Sequence, residues 1–154
     1  MAEIRTIADG EGEAVAALWD EQARGGPDGA PLSERGRRNI ARMLDIAAWH
    51  ERALCLVAVE DERIVGFVCA SLDAGTGLLP GLVGGIDALY TTPEARGHGI
   101  SGELARNAVA QLRARGAGTI RALVCVEDAH AQAFWQAQGF ESDMVCLSLY
   151  ESAG

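Results

Sequence analysis

A single mixed α/β domain is the fold class this sequence predicts, and three observations predict it. The chain has 154 residues, the size of one domain, with no internal repeat. Its apolar residues fall into strand-like and helix-like segments in the order β-α-α-β-β-β-α-β-α-β, which implies a sheet of mixed direction covered by helices. Hydrophobic residues make up 49% and charged residues 23%, and no apolar run is long enough to span a bilayer. A chain of this length buries about 68–70% of its unfolded surface, enough for a core without metal or disulfide support. One domain over residues 1–154 is therefore expected.

The elements follow in chain order. Ile4 to Ile7 is a short strand, and a helix begins after Asp9, with Val15, Leu18 and Trp19 at helical spacing. The breakers from Gly25 to Pro31 separate it from a second helix capped by Ser33, whose apolar face is Ile40, Met43, Leu44, Ile46 and Ala47. Arg35, Arg37, Arg38 and Arg42 lie on or beside the other face, as a solvated helix surface does. Leu54–Val59 and Ile64–Leu72 are continuously apolar on either side of the polar turn Asp61-Glu62-Arg63, which reads as a hairpin of two buried strands. Asp73 to Gly85 is Gly-rich and reads as a mobile lip, and Ile86–Thr91 as a strand stopped by Pro93. A helix from Ile100 to Arg115 ends at Gly116, a strand runs from Thr119 to Val126, a helix from Ala129 to Gln138 ends at Gly139, and Met144–Leu149 alternates as a last strand.

Charge narrows the function. Twenty-two acidic against 13 basic residues give a net charge of −9, which argues against a nucleic-acid or anionic-membrane partner. All the basic residues are Arg, so phosphate loops and Schiff bases that need a lysine are excluded. Cys55, Cys69, Cys125 and Cys146 form no C-x-x-C pair and read as buried free thiols. His50, His98 and His130 lack ligand spacing, so no metal site is expected, and nothing at the N-terminus reads as a signal peptide, so the expected location is cytoplasmic.

The segment Arg96-Gly97-His98-Gly99-Ile100-Ser101-Gly102 carries the chemistry. It joins a strand to a helix, where bare peptide N–H groups and the unsatisfied first turn of the helix favour a phosphate. Gly97, Gly99 and Gly102 also satisfy the G-x-G-x-x-G dinucleotide fingerprint. That nicotinamide reading suffers from Thr92 to Arg96 intervening between strand and glycine, from the 57 residues left after Gly97, and from Glu127 standing 30 residues beyond it.

Leu89 to Ser101, with its Pro-containing turn and Arg-x-x-Gly-x-Gly/Ala-like run, resembles the central motif of the GNAT superfamily of acyl-CoA-dependent N-acyltransferases, with Ser101 at the last position. Val57 to Phe67 is similar to that family's central hairpin. Asp128-x-x-Ala131-x-x-Phe134-Trp135-x-x-x-Gly139-Phe140 resembles its second cofactor motif, and the likeness spans about residues 3 to 150. The resemblance implies a mostly antiparallel sheet splayed at a cofactor cleft, acetyl-CoA as cofactor with CoA as product, and transfer of the acetyl group to a primary amine.

It further implies that the amides from Arg96 through Gly97, His98, Gly99, Ile100, Ser101 and Gly102 hold the pyrophosphate, and that Leu89, Tyr90 and Thr91 pair with pantetheine. Asp128, Phe134 and Trp135 would complete the cofactor wall. Asp87 and Glu127 are the carboxylates expected to take the amine's proton or bind it, and a backbone N–H of Leu89 or Tyr90 the donor for the oxyanion. Trp135 stands where the family often has a Tyr acid, and indole cannot serve as one. Tyr90, Tyr150 and His130 are the substitutes, while a thiol of pKa about 8.5 leaves tolerably without one. Cys125 has no paired His, so direct transfer is expected over an acyl-cysteine route. The acidic balance favours a small cationic amine. A homodimer is common among such proteins, and a non-catalytic acyl-CoA sensor is the rival reading.

Overall fold

The computed structural model describes residues 2–26 and 29–151; Pro27 and Asp28 of the predicted breaker cluster lie outside the described residues. The chain runs β1 (Glu3–Thr6), α1 (Gly12–Arg24), α2 (Glu34–Ala47), β2 (Ala53–Glu60), β3 (Arg63–Asp73), β4 (Leu82–Thr91), a 3₁₀ turn (Pro93–Ala95), α3 (Ile100–Ala114), β5 (Ala117–Ala122) and α4 (Ala129–Ala137). The five strands form one sheet in sequence order. β1 to β4 pair antiparallel and β5 joins β4 in parallel. This is the mixed, mostly antiparallel α/β sheet that was expected.

Each central strand is apolar on both sides because both faces of the sheet are covered. One face, with Leu54, Leu56, Ala58, Val68, Ala70 and Ile86, packs on Ile100, Leu104, Ala108 and Leu112 of α3 and on Trp135. The other, with Cys55, Val57, Phe67, Cys69 and Tyr90, packs on α1 and α2 through Val15, Leu44 and Ala47. Trp19 of α1 stacks on Phe67 with ring centroids 5.6 Å apart. The β2–β3 turn places Asp61 and Glu62 at φ of 51° and 65°, the left-handed pair that suits a two-residue hairpin. Ser33 caps α2, its hydroxyl accepting from the Gly36 N–H at 3.0 Å.

Three expectations are corrected. β4 begins at Leu82, so the lip is shorter than predicted. Gly84 and Gly85 belong to the strand, and a Cβ on Gly84 would lie 3.2 Å from Leu112, so this glycine lets α3 approach the sheet. β5 stops at Ala122 rather than Val126, because β4 and β5 part after the Ile86–Ala122 pair and the last bond between them is Leu123 N–H to Ile86 C=O at 3.3 Å. Finally, Met144–Leu149 forms no strand. Met144, Val145, Leu147 and Leu149 are between 68% and 91% exposed, and the alternation describes one side of a ladder whose other side is not supplied.

Candidate active site

The parting of β4 from β5 opens a cleft at the C-terminal end of both strands. β4 prepares it with a bulge: Cys69 pairs with Ala88 and Ala70 with Ile86, which leaves Asp87 as the extra residue. Beyond the bulge the ladder to β3 holds through Thr92, whose N–H donates to the Val65 carbonyl at 2.8 Å. By the alternation of an antiparallel ladder, the peptide groups of Tyr90 face β3, whereas those of Leu89 and Thr91 face the cleft. Side chains reach both of the latter. Gln22 Nε2 donates to the Leu89 carbonyl at 2.9 Å and Arg96 Nε to the Thr91 carbonyl at 3.0 Å.

The loop from Arg96 to α3 turns by two left-handed glycines, Gly97 at φ 87° and Gly99 at φ 77°, and a Cβ on either would meet nothing within 4 Å. Dihedral angle, not crowding, therefore requires glycine here. Gly99 is the N-cap and offers no side-chain cap. The first helical bond is Glu103 N–H to Gly99 C=O at 3.1 Å, so the N–H groups of Ile100, Ser101 and Gly102 have no partner among the described residues. Ser101 Oγ lies 2.8 Å from Thr91 Oγ1 and ties α3 to the end of β4. The cradle that results, lined by free N–H groups and open to solvent, fits a pyrophosphate.

The remaining predicted residues disperse. Arg96 stacks over the Tyr90 ring at 5.5 Å besides bonding to Thr91, so it braces the loop against β4. His98 is exposed, with Nδ1 3.3 Å from the Ala95 carbonyl. Asp128 caps α4, Oδ1 accepting from the Ala131 N–H at 2.9 Å. Glu127 lies in an exposed turn five residues past the end of β5. Trp135 is buried, edge-on to Phe134 at 5.1 Å and to Phe140 at 5.0 Å. Tyr150 and His130 are both exposed.

Asp87 is open to solvent, yet the strands around it strip part of its hydration and raise its carboxyl pKa above the usual range. Tyr90 is buried, and its hydroxyl donates to Glu21 Oε2 at 2.6 Å. Desolvation first, and the bond to Glu21 second, push its pKa up to about 12. The cysteines need a correction: Cys55 and Cys69 are buried with sulfurs 3.6 Å apart, but Cys125 and Cys146 are exposed, on segments that leave the sheet.

The sequence reading missed three residues. Glu21 and Gln22, at the end of α1, are 69 and 67 positions from their partners in β4, and no local pattern links them. Arg106 folds its guanidinium over the first turn of α3, where a Cβ on Gly102 would lie 3.0 Å from Nη1. The i, i+4 spacing of Gly102 and Arg106 was the available signal.

Comparison with known proteins agrees with this geometry. The model of the Acetyltransferase (GNAT) family matches residues 15–140. Among solved structures, a transcriptional regulator from Bacillus halodurans C-125 superposes with a TM-score of 0.80 at 19% identity, covering 98% of this chain and all of that one. Aminoglycoside N-acetyltransferase AAC(6')-Iy in complex with CoA has a TM-score of 0.79 at 17% identity, covering 99% and 96%. A ribosomal-protein-alanine N-acetyltransferase from Brucella melitensis biovar Abortus 2308 has 0.71 at 16%, covering 98% and 100%. No curated protein matches by sequence. Because the family model matches residues 15–140, most of the chain, the chain belongs to the GNAT acetyltransferase family.

Proposed function

We propose that the chain is an acetyl-CoA-dependent N-acetyltransferase that passes the acetyl group directly to a primary amine on a small cationic molecule. The observation that carries the reading is the run of unpartnered N–H groups from Ile100 to Gly102 behind two open, left-handed glycines, in a chain of net charge −9. An acidic protein holds a pyrophosphate where backbone supplies the positive charge.

When bound, acetyl-CoA supplies an acetyl group activated as a thioester. The chain's own residues do the rest. Leu89 offers the cleft-facing N–H for the oxygen on which negative charge develops, since the Tyr90 N–H is turned to β3. Asp87, its pKa raised by desolvation, is a stronger base than an ordinary carboxylate and takes the proton of the attacking ammonium. Glu127, in its exposed turn, is the alternative carboxylate. Trp135 serves as wall rather than acid, buried as it is in its aromatic cluster. The reading includes a cytoplasmic protein and a homodimer, the latter tested by sedimentation; among the described residues no helix is long and apolar enough to cross a membrane.

Calorimetry with acetyl-CoA and with NAD(H), followed by thiol release against a panel of amines, tests the proposal. Binding of acetyl-CoA alone, with thiol release, supports it. Tight CoA binding without thiol release for any amine would favour a non-catalytic sensor, and NAD(H) binding would favour the nicotinamide reading.

A further inference from the structure

Glu21 stands in the last turn of α1, exposed, with one carboxylate oxygen committed and the other open. Tyr90 Oη donates to Oε2 at 2.6 Å, and Oε1 has no hydrogen-bond partner among the described residues. Its nearest cation in sequence, Arg24, pairs with Asp20 at 2.9 Å instead. The neighbouring Gln22 fastens this turn to the Leu89 carbonyl, so Glu21 is held beside the cleft edge of β4. It sits on the α1/α2 side of the sheet, with Tyr90 and Phe67, whereas the glycine loop opens α3 on the opposite side. An acceptor that approaches from the α1/α2 side meets Glu21 at the mouth of the split.

We propose that Glu21 is a specificity residue: its free oxygen holds a second ammonium of the acceptor, one that stays protonated through the reaction, so that the preferred substrates are diamines or polyamines rather than monoamines. This rests on the acetyltransferase reading above. The attacking nitrogen must give up its charge to a base, so it cannot keep an ion pair through the reaction. A second ammonium can. Tyr90 locks the Glu21 carboxylate in one orientation by its short charge-assisted hydrogen bond, which lowers the entropy lost when the cation docks.

The test compares 1,4-diaminobutane with n-butylamine in the wild type, Glu21→Gln and Tyr90→Phe. The wild type is expected to favour the diamine in kcat/KM by at least about tenfold, the scale of one hydrogen bond to a charged group. Glu21→Gln, which keeps an oxygen for Tyr90 but no charge, should remove that preference through the diamine KM, with the KM for acetyl-CoA unchanged. Tyr90→Phe, which frees the carboxylate to rotate but keeps its charge, should reduce the preference without removing it. A preference that survives Glu21→Gln, or that Tyr90→Phe abolishes equally, overturns the proposal, the second because Glu21 would then act only by holding Tyr90. Calorimetric titration of 1,4-diaminobutane into the free and the CoA-bound protein gives a readout without turnover. Binding lost in Glu21→Gln while CoA affinity is unchanged supports the proposal, and no binding to the wild type overturns it. Failure to bind CoA at all would instead sink the acetyltransferase reading, and the titration of the free protein would still report on Glu21.

Discussion

The two walls of the cleft are built on opposite terms. On the β4 side the strand is paired with β3 from Val83 to Thr91 on either side of the Asp87 bulge, Arg96 and the Thr91–Ser101 contact lock the loop to it, and what faces the cleft is backbone. On the β5 side the strand ends at Ala122, Leu123 and Val126 are 74% and 88% exposed, and what faces the cleft is a turn and the cap of α4. Glycine marks the contrast. Gly97 and Gly99 have empty space where a Cβ would stand and need glycine for their dihedral angles, whereas a Cβ on Gly118 would collide with the Pro80 carbonyl oxygen. At the head of α3 glycine presents peptide groups, whereas at Gly118, as at Gly84 within β4, it lets two chain segments touch.

The sharpest way to break that comparison is Gly118→Ala. The carbonyl it strikes is backbone and cannot rotate aside, so a loss of about 3 kcal/mol is expected, a fall in Tm of roughly 6–12 °C by calorimetry. Acetyl-CoA affinity, measured well below the transition, should barely move. If affinity falls with stability, the two walls are not independent.

Next in size is Asp87→Asn, with an expected loss of about a hundredfold in kcat/KM if the bulge residue is the base. Because burial raises the Asp87 pKa, wild-type activity should rise with pH through a limb above the usual carboxylate range, and the variant should lose that limb. The stability effect has the opposite sign. A carboxyl whose folded pKa is raised destabilises the fold once ionised, so Asp87→Asn should be slightly more stable at pH 7, with the gain vanishing at a pH below the unfolded carboxylate value. Gly99→Ala follows: at φ 77° an alanine costs about 1–2 kcal/mol, so acetyl-CoA affinity should drop about tenfold as the loop relaxes, with Tm reduced by only a few degrees.

What could be read from the sequence divides along the same line. The β4 wall was legible because its signals are local: Pro93, the glycines and the start of α3 lie within ten residues, and each constrains its own backbone. Even there Gly84 and Gly85 misled, since glycine in a strand reads as loop; only at Gly84 does a helix pressing on the strand account for it. The β5 wall was overestimated twice, at Leu123–Val126 and at Met144–Leu149, because apolar alternation reports a tendency to pair and says nothing of whether a neighbour is present. Glu21 and Gln22 were invisible for a related reason: their meaning is a contact with a strand more than 60 residues away.

The smallest effect concerns Arg106. Its guanidinium rests over Gly102 at the head of α3, and it is exposed, so its attraction for an anion in the cradle is screened. Arg106→Ala should weaken acetyl-CoA binding about threefold at low salt, and the difference should close as salt approaches 1 M, where the screening length is about 3 Å. Gly102→Ala gives the second reading. An alanine Cβ there would crowd Nη1 and displace the guanidinium while leaving the charge on the helix. If position matters, Gly102→Ala should reproduce the loss seen in Arg106→Ala, and the double variant should add nothing further. If only net charge matters, Gly102→Ala should bind acetyl-CoA as the wild type does, and the β4 wall would then act through its backbone alone.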